Sequence, residues 1–195
     1  SRTTPKMNTK RNPDARKQAL TEQVIANLQS RLGAGKARMA TGYAEQCFRR
    51  VPMEDLAAEG PSTLATIVLR QLAFMDRRKP GEMLIRVYNP DPQEDGWESP
   101  HTIVEMVNDD MPFLVDTGAL TLSEMGIGIH LIIHPVIRVG RDARGKLTGV
   151  FDKSAGQGAA ESVIQFQVDR RTSEKSLGEI ERRLVAALGD ARRAV

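Results

Sequence analysis

Cysteine is nearly absent from the chain, and so are long apolar runs; each shortage excludes a class of protein. The single cysteine, Cys47, cannot form an internal disulfide, which favours a reducing compartment. Its helical spacing from Tyr43 and Val51 indicates a small buried hydrophobe rather than a reactive thiol. No apolar run approaches the about 18 residues that span a bilayer, and no signal peptide is recognisable. We therefore expect a soluble, cytoplasmic protein that makes no membrane contact.

Aromatic residues are also scarce, at 4%, so the core is expected to be mainly aliphatic. The length of 195 residues is enough for one domain, or for a domain with a helical attachment. Charge is unevenly distributed. Residues 1–50 hold eleven Lys or Arg and three Asp or Glu, net +8, whereas residues 51–195 hold seventeen and twenty-two, net −5. A basic arm can bind nucleic acid, but we prefer an arm that is solvated or docked on the rest of the chain.

The first third of the chain is predicted to be helical. Residues 1–15 are polar and contain two prolines, so we expect a disordered segment or a lead left from cloning. Apolar residues then recur at helical spacing, which makes 16–81 a helical N-terminal segment. A flexible link is expected at 33–42, because glycines stand at both of its ends.

From residue 84 the pattern changes to the apolar runs and alternation that are typical of strands. The predicted strands are 84–88, 102–107, 127–139, 147–151 and 163–168, and helices follow Pro112 and Ser173. This order contains the β-α-β-β-α part of a ferredoxin-like, mostly antiparallel sheet with helices packed on one face. The strand that would complete such a sheet does not follow the last helix. Either it lies beyond Val195, in a chain truncated at its C-terminus, or the strand 84–88 takes its place.

Motifs for catalysis, metal binding and nucleotide binding are missing from the sequence. His130 and His134 are not predicted to share a metal, because four residues of a strand span about 13 Å. The pairs Gly126–Gly128 and Gly156–Gly158 lack the third glycine of the dinucleotide fingerprint. We therefore assign no catalytic residue and no metal ligand.

The segment Asn108–Phe113, which joins a predicted strand to a predicted helix, is unusually polar. Asp109 and Asp110 precede Pro112, and proline is tolerated in the first turn of a helix. With Asp116 the two acids form a candidate divalent-cation site. Capping of the free helix amides explains both acids without a metal, and we prefer that interpretation.

Several strings in the chain resemble a single family. The run HTIVEMVNDDMPFLVDTGALTLSEMGIGIHLIIHPVIRVGRDARGKL, beginning at His101, is similar to the N-terminal region of the very large bacterial NAD-specific glutamate dehydrogenases. The strings YAEQCFRRVPMEDL, IRVYNP and DGWES lie upstream in the same order as in that region. The resemblance covers roughly residues 40–190. It implies a piece of a tandem ACT-like regulatory region, with residues 84–195 as an α+β, ACT-like domain.

This resemblance carries functional expectations. It implies that the chain is not itself an enzyme and holds no cofactor, whereas the parent protein uses NAD to deaminate L-glutamate to 2-oxoglutarate. The expected partners are the remainder of the parent chain and further copies in a homo-oligomer, and an amino acid is a candidate effector. The rival class is a nucleic-acid-binding protein that uses the basic N-terminal arm.

The resemblance also points to a site. ACT modules that bind amino acids usually have Asp-x-Pro-Gly at the first strand-to-helix junction. Asp110–Pro112 matches this motif, but Phe113 replaces the glycine, and its side chain is expected to fill the pocket or to point into the core. Free amides at the start of the helix favour a carboxylate. The candidate ligand-binding residues are Asn108, Asp109, Asp110, Met111 and Phe113.

Association is expected to involve the predicted strand 127–139. Pro135 removes one backbone donor from this strand, which implies a sheet edge or a bulge. An open edge presents unpaired backbone groups to other chains. The strand is therefore the predicted rim through which copies associate.

Overall fold

The structure is a computed structural model that describes residues 12–194. The first helix, α1, spans Pro13–Arg31. It begins at this point because the side chain of Asn12 accepts hydrogen bonds from two amides of the first turn, and because proline is favoured at the first helical position. The helix thus starts inside the predicted disordered segment 1–15, whose first eleven residues lie outside the described part of the chain.

Three further helices complete the N-terminal segment: α2 (Ala34–Phe48), α3 (Met53–Glu59) and α4 (Pro61–Met75). The predicted link at 33–42 is wrong, because α2 runs through it. Alanine is the strongest helix former, and Ala37 and Ala40 of α2 are buried. Their burial outweighs the cost of the two glycines within the helix.

Six antiparallel strands form one sheet: β1 (Leu84–Tyr88), β2 (Thr102–Asp109), β3 (Ile129–Ile133), β4 (Val136–Arg141), β5 (Leu147–Phe151) and β6 (Ala159–Val168). Strand β2 pairs along one side of β6, and β3 and β4 pair along the other side. The order is β1-β2-β6-β4-β5, with β3 beside the other end of β6. Strand β1 therefore takes the place of the missing fourth strand of the ferredoxin-like arrangement, next to β2.

The long predicted strand 127–139 is in fact two strands. His134 and Pro135 separate β3 from β4, while the Pro135 carbonyl accepts a hydrogen bond of 3.0 Å from the amide of Val163 and so keeps the bend beside β6. Strand β5 covers the outer side of β4. Within the described residues, β3 has a strand on one side only, so the predicted rim shrinks to β3.

Helices α5 (Leu114–Glu124) and α6 (Glu174–Arg193) pack against each other on one face of the sheet, as the fold prediction requires. The side chains of β6 that face them alternate along the strand: Ile164, Phe166 and Val168. The residues between them face the opposite side, and they too are buried: Val163, Gln165 and Gln167. The N-terminal helices cover that second face, so the sheet lies between two helical layers.

A large apolar cluster joins the N-terminal helices to the sheet. It includes Val24 and Leu28 of α1 together with Val107 of β2 and Val163 of β6. Cys47 belongs to the same cluster, and burial raises the pKa of its thiol to about 12, which confirms the prediction of a small buried hydrophobe. Over the described length, no helix has the extent and apolarity that a bilayer crossing demands.

Candidate functional site

The candidate site begins at Asn108, near the end of β2. Asn108 lies on the same face of the strand as Val104 and Met106, towards the helices α5 and α6. It is only 3% exposed, and neither its Oδ1 nor its Nδ2 has a hydrogen-bond partner within residues 12–194. A buried amide without partners costs free energy, so Asn108 is well suited to contact a ligand.

Asp109 does not cap α5, and the prediction that it does is wrong. Its Oδ1 accepts a hydrogen bond of 2.7 Å from Nη2 of Arg78, a residue that follows α4. Nη1 of Arg78 lies 3.0 Å from the carboxylate of Glu161, which also binds the guanidinium of Arg141. Two arginines and two carboxylates thus form a network that is neutral overall. The Asp109 charge is therefore matched by a cation and does not face a ligand alone.

Asp110 is not a cap either. Its Oδ1 accepts a hydrogen bond of 2.8 Å from Oγ of Ser162 on β6, and the same Oγ lies 3.4 Å from Nε2 of His134. Among residues 12–194 no side chain caps the amino end of α5, so the amides of its first turn are available to another acceptor. The acids were predicted as caps because they are close in sequence to the helix, but their partners come from other elements.

Phe113 adopts a backbone conformation that normally favours glycine. Its φ is +68°, in the left-handed region. The side chain is 69% exposed, so it neither fills a pocket nor enters the core, and both sequence expectations are wrong on this point. Met111, by contrast, is partly buried against the cluster under α5 and α6. The five predicted residues thus lie on one short segment, and each has a different environment.

The two histidines of the predicted rim have separate surroundings. The His130 ring stacks on His101, with centroids 4.3 Å apart, and its Nε2 lies 2.7 Å from Oδ1 of Asp169. Burial and the neighbouring His130 lower the pKa of His101. The rings of His101 and His130 line a cavity of about 690 Å³. Glu59, whose pKa is raised by burial, lines the same cavity. Within the described chain, no group of three or more His, Cys, Asp or Glu is placed to hold a metal ion.

Sequence reasoning missed a chain of buried polar side chains beneath the N-terminal helices. Glu105 Oε1 accepts hydrogen bonds from the Tyr88 hydroxyl at 2.8 Å and from Gln165 at 3.3 Å, and Gln167 donates to Gln165. Burial raises the pKa of Glu105, which favours its protonated form. The signal was present in the sequence: Glu105 interrupts an apolar strand, and the two glutamines alternate with apolar residues.

The two glycine pairs do not fit a dinucleotide. Gly126 follows the end of α5, and the Gly128 amide donates a hydrogen bond of 2.7 Å to the carboxylate of Asp169. Gly156 and Gly158 lie in the connection between β5 and β6. Neither pair opens a helix after a strand, as phosphate binding requires.

Comparison with known proteins assigns the chain to a family. The family described as "Glutamate dehydrogenase, ACT1 domain" matches residues 43–184. The chain belongs to this family. An NAD-specific glutamate dehydrogenase of Halomonas elongata is 36% identical over 178 residues, and one of Pseudomonas aeruginosa is 32% identical over 180 residues. No solved structure matches the chain significantly.

The alignments cover 90% and 91% of this chain but only 11% of each relative. The family match confirms the resemblance to an ACT-like region of the large NAD-specific glutamate dehydrogenases. The nucleic-acid alternative receives no support from these relatives. The structure also packs α1 and α2, which carry much of the basic arm, against each other and against the rest of the protein.

Proposed function

We propose that this chain is a non-catalytic regulatory and assembly region of a large, cytoplasmic NAD-dependent glutamate dehydrogenase. The parent enzyme would deaminate L-glutamate to 2-oxoglutarate with NAD as its cofactor. The observation that carries the proposal is the ACT1 match over residues 43–184, on an antiparallel sheet with the ferredoxin-like strand order. The chain corresponds to 11% of each relative, and under this proposal the catalytic machinery would lie in other parts of the parent chain.

The regulatory role would be exerted by an amino acid at Asn108–Phe113. Three features support this site: the unpartnered buried amide of Asn108, the uncapped amino end of α5 and the glycine-like backbone of Phe113. The helix end favours the carboxylate of the amino acid. The side-chain amide of Asn108 can donate a hydrogen bond to that carboxylate or accept one from the ammonium group. Arg78 offsets the charge of Asp109, which would otherwise repel the carboxylate.

The assembly role would be exerted through β3, by pairing with β3 of a second copy. The sequence of β3, IHLII, has no Lys, Arg, Asp, Glu or Pro, the residues that protect most natural sheet edges. Ile132 on this strand is 39% exposed. Two antiparallel β3 strands related by a two-fold axis would each bond the unpaired backbone amides and carbonyls of the other, with the same contacts on both copies. The remainder of the parent chain is the second expected partner.

Calorimetric and thermal-shift titrations of the 195-residue chain with a panel of amino acids test the regulatory site. We expect saturable binding of at least one amino acid at millimolar concentration, and loss of that response in Asn108→Ala. NAD is included in the panel and should give no response, and the chain should not oxidise glutamate.

Asn27→Ala is the matched control, because the Asn27 side chain on α1 also has a buried oxygen without a partner but lies on a different element. It should leave the response unchanged. A chain that responds to no amino acid, or a response that survives Asn108→Ala, refutes the assignment of the site. Binding of NAD or oxidation of glutamate refutes the non-catalytic role.

A further inference from the structure

A second cavity, separate from the segment Asn108–Phe113, lies where the N-terminal helices meet the sheet. It has a volume of about 260 Å³ and is lined by residues from three places. The end of α2 contributes Gln46, Arg49 and Arg50; the bend between β3 and β4 contributes His134; and the turn after β5 contributes Lys153. We call this cavity the cationic pocket.

The cationic pocket lies at the bend around Pro135, where the partner of β6 changes from β3 to β4. Proline has no amide hydrogen, so the chain cannot continue the ladder through it. Strands β3 and β4 pair with different stretches of β6, and His134 and Pro135 form a short gap between the two ladders, in which the Pro135 carbonyl accepts a hydrogen bond from the Val163 amide of β6. The end of α2 reaches this gap, where Gln46 Nε2 donates a hydrogen bond of 3.2 Å to the Phe151 carbonyl at the end of β5.

Positive charge is concentrated around the cationic pocket. The lining contains Arg49, Arg50 and Lys153 but no carboxylate. None of these three side chains forms an ion pair with any carboxylate in residues 12–194, whereas Arg70, Arg78, Arg86, Arg141 and Arg193 all do. Like charges around one small concave space repel each other, and the field inside such a cleft attracts an anion.

Two acids near the pocket, Asp152 and Asp110, form hydrogen bonds with serines and no ion pair with the three cations, although the serine hydrogen bonds of Asp152, helped by the charge of Arg49, lower its pKa. Asp152 accepts hydrogen bonds of 3.0 Å from both the amide and the hydroxyl of Ser154, and Asp110 accepts one from Ser162. Burial lowers the pKa of His134, so its ring is neutral at neutral pH and offers a hydrogen bond rather than a charge. The charge available to a ligand therefore comes from the two arginines and the lysine.

We propose that the cationic pocket binds a small dianion, which carries either a phosphate group or two carboxylates. Arg49, Arg50 and Lys153 would bind the charged oxygens, and Gln46 would add a hydrogen bond. Arginine suits both chemistries, because its planar fork donates two parallel hydrogen bonds to either group. The volume lies below the range of about 300–1,000 Å³ that holds drug-sized ligands, which restricts the occupant to a small metabolite.

Binding of such an anion would connect the two parts of the molecule. The arginines belong to the N-terminal helical segment, whereas His134 and Lys153 belong to the sheet and its turns. A ligand that contacts both parts in the folded state raises the free energy of unfolding. This increase grows with the logarithm of the ligand concentration once that concentration exceeds the dissociation constant. His134 also reaches Asp110, at the amino-acid site, through the hydroxyl of Ser162. The pocket is therefore placed to act as a second effector site.

The test is a titration of the 195-residue chain with pyrophosphate and, separately, with succinate, at constant ionic strength. Melting temperature and calorimetry are the readouts. We expect at least one of the two anions to bind saturably, with one equivalent per chain, and to raise the melting temperature. Comparison of the two affinities shows whether a phosphate or a pair of carboxylates is preferred. Arg50→Ala and Lys153→Ala should each weaken binding by about tenfold or more, because each removes a charged donor.

Arg182→Ala provides the matched control. Arg182 is exposed on α6, on the other side of the sheet, and its replacement changes the net charge by the same amount. It should not change the affinity. Absence of saturable binding by both anions at millimolar concentration overturns the proposal, and so does equal weakening by all three variants. Since the amino-acid titration uses Asn108, the two sites succeed or fail independently.

Discussion

At the scale of the single residue, the backbone of Phe113 stands out in the described chain. Phe113 is the one residue other than glycine with a positive φ among residues 12–194. The β-carbon of an ordinary residue crowds the backbone in this conformation, and the exposed ring recovers little free energy by burial. Strain of this kind is typical of functional positions, where the surrounding structure enforces the backbone.

Phe113→Gly should therefore stabilise the protein, even though it removes an aromatic ring. The left-handed conformation costs about 1–2 kcal/mol for a residue with a β-carbon, and the greater freedom of glycine in the unfolded chain offsets about half of that gain. We expect the free energy of unfolding in urea to rise by about 0.5–1 kcal/mol. Phe113→Ala keeps the β-carbon and serves as the control, with no such rise. Equal effects of the two variants would show that the ring, not the backbone, sets the stability.

At the scale of the elements, the helices and strands that were predicted correctly are those whose sequence pattern is local. The alternation of apolar and polar residues was sufficient to predict β6, and the helical spacing of apolar residues was sufficient to predict α6. Ser173 caps α6 as expected. The continuous helix α2 was missed because burial of its alanines, which outweighs two glycines, depends on tertiary contacts. The roles of Asp109 and Asp110 were missed for a related reason. Their partners stand 31 and 52 residues away in the chain, where no local pattern reveals them.

The network around Arg78 shows how one such distant contact holds elements together. Arg78 follows α4, yet its guanidinium lies between β2 and β6, and its amide donates a hydrogen bond of 3.0 Å to the carbonyl of Gly145 in the β4–β5 hairpin. At Gly145 φ is +82°, and a β-carbon there would lie 2.4 Å from the Arg78 carbonyl. Glycine is therefore required at this turn both for its conformation and for the close approach.

Glu161→Gln should destabilise the protein strongly. The side chain of Glu161 is 3% exposed and that of Arg78 is 2% exposed, so the change leaves buried guanidinium groups with one carboxylate fewer. Removal of one member of a buried ion pair costs about 3–5 kcal/mol. The measurement is the free energy of unfolding in urea.

The exposed pair Asp190–Arg193 on α6 provides the contrast for this prediction. Asp190→Asn should change stability by about 0.5 kcal/mol or less, since surface pairs contribute little. A double variant, Arg78→Met with Glu161→Met, should recover part of the loss, because it removes the more deeply buried guanidinium, while Arg141, at 12% exposed, still lacks its carboxylate. A Glu161→Gln variant as stable as Asp190→Asn would contradict the role assigned to the network.

At the scale of the whole molecule, both faces of the sheet are covered and an edge is not. Helices α5 and α6 occupy one face and the N-terminal helices the other, so further association by a bare sheet face is not available. Strand β1 carries Arg86 at its centre, as protected edges commonly do. Strand β3 has no Lys, Arg, Asp or Glu, and the described chain places no further strand beyond it; the outer strand β5 also has none of these residues. Association through β3 is therefore our prediction for the molecule as a whole, with Ile132 as the exposed apolar residue of that edge.

Static light scattering over a range of concentrations tests this association. We expect the 195-residue chain to form a dimer as concentration rises, and Ile132→Lys to shift it to the monomer, because a lysine on an edge strand opposes pairing with another strand. Leu120→Lys, on the outer face of α5, introduces the same charge at a residue that is 60% exposed, and it should leave the dimer intact. If Leu120→Lys dissociates the dimer and Ile132→Lys does not, the dimer interface is the outer face of α5 instead. A chain that stays monomeric throughout the range contradicts pairing through β3 altogether.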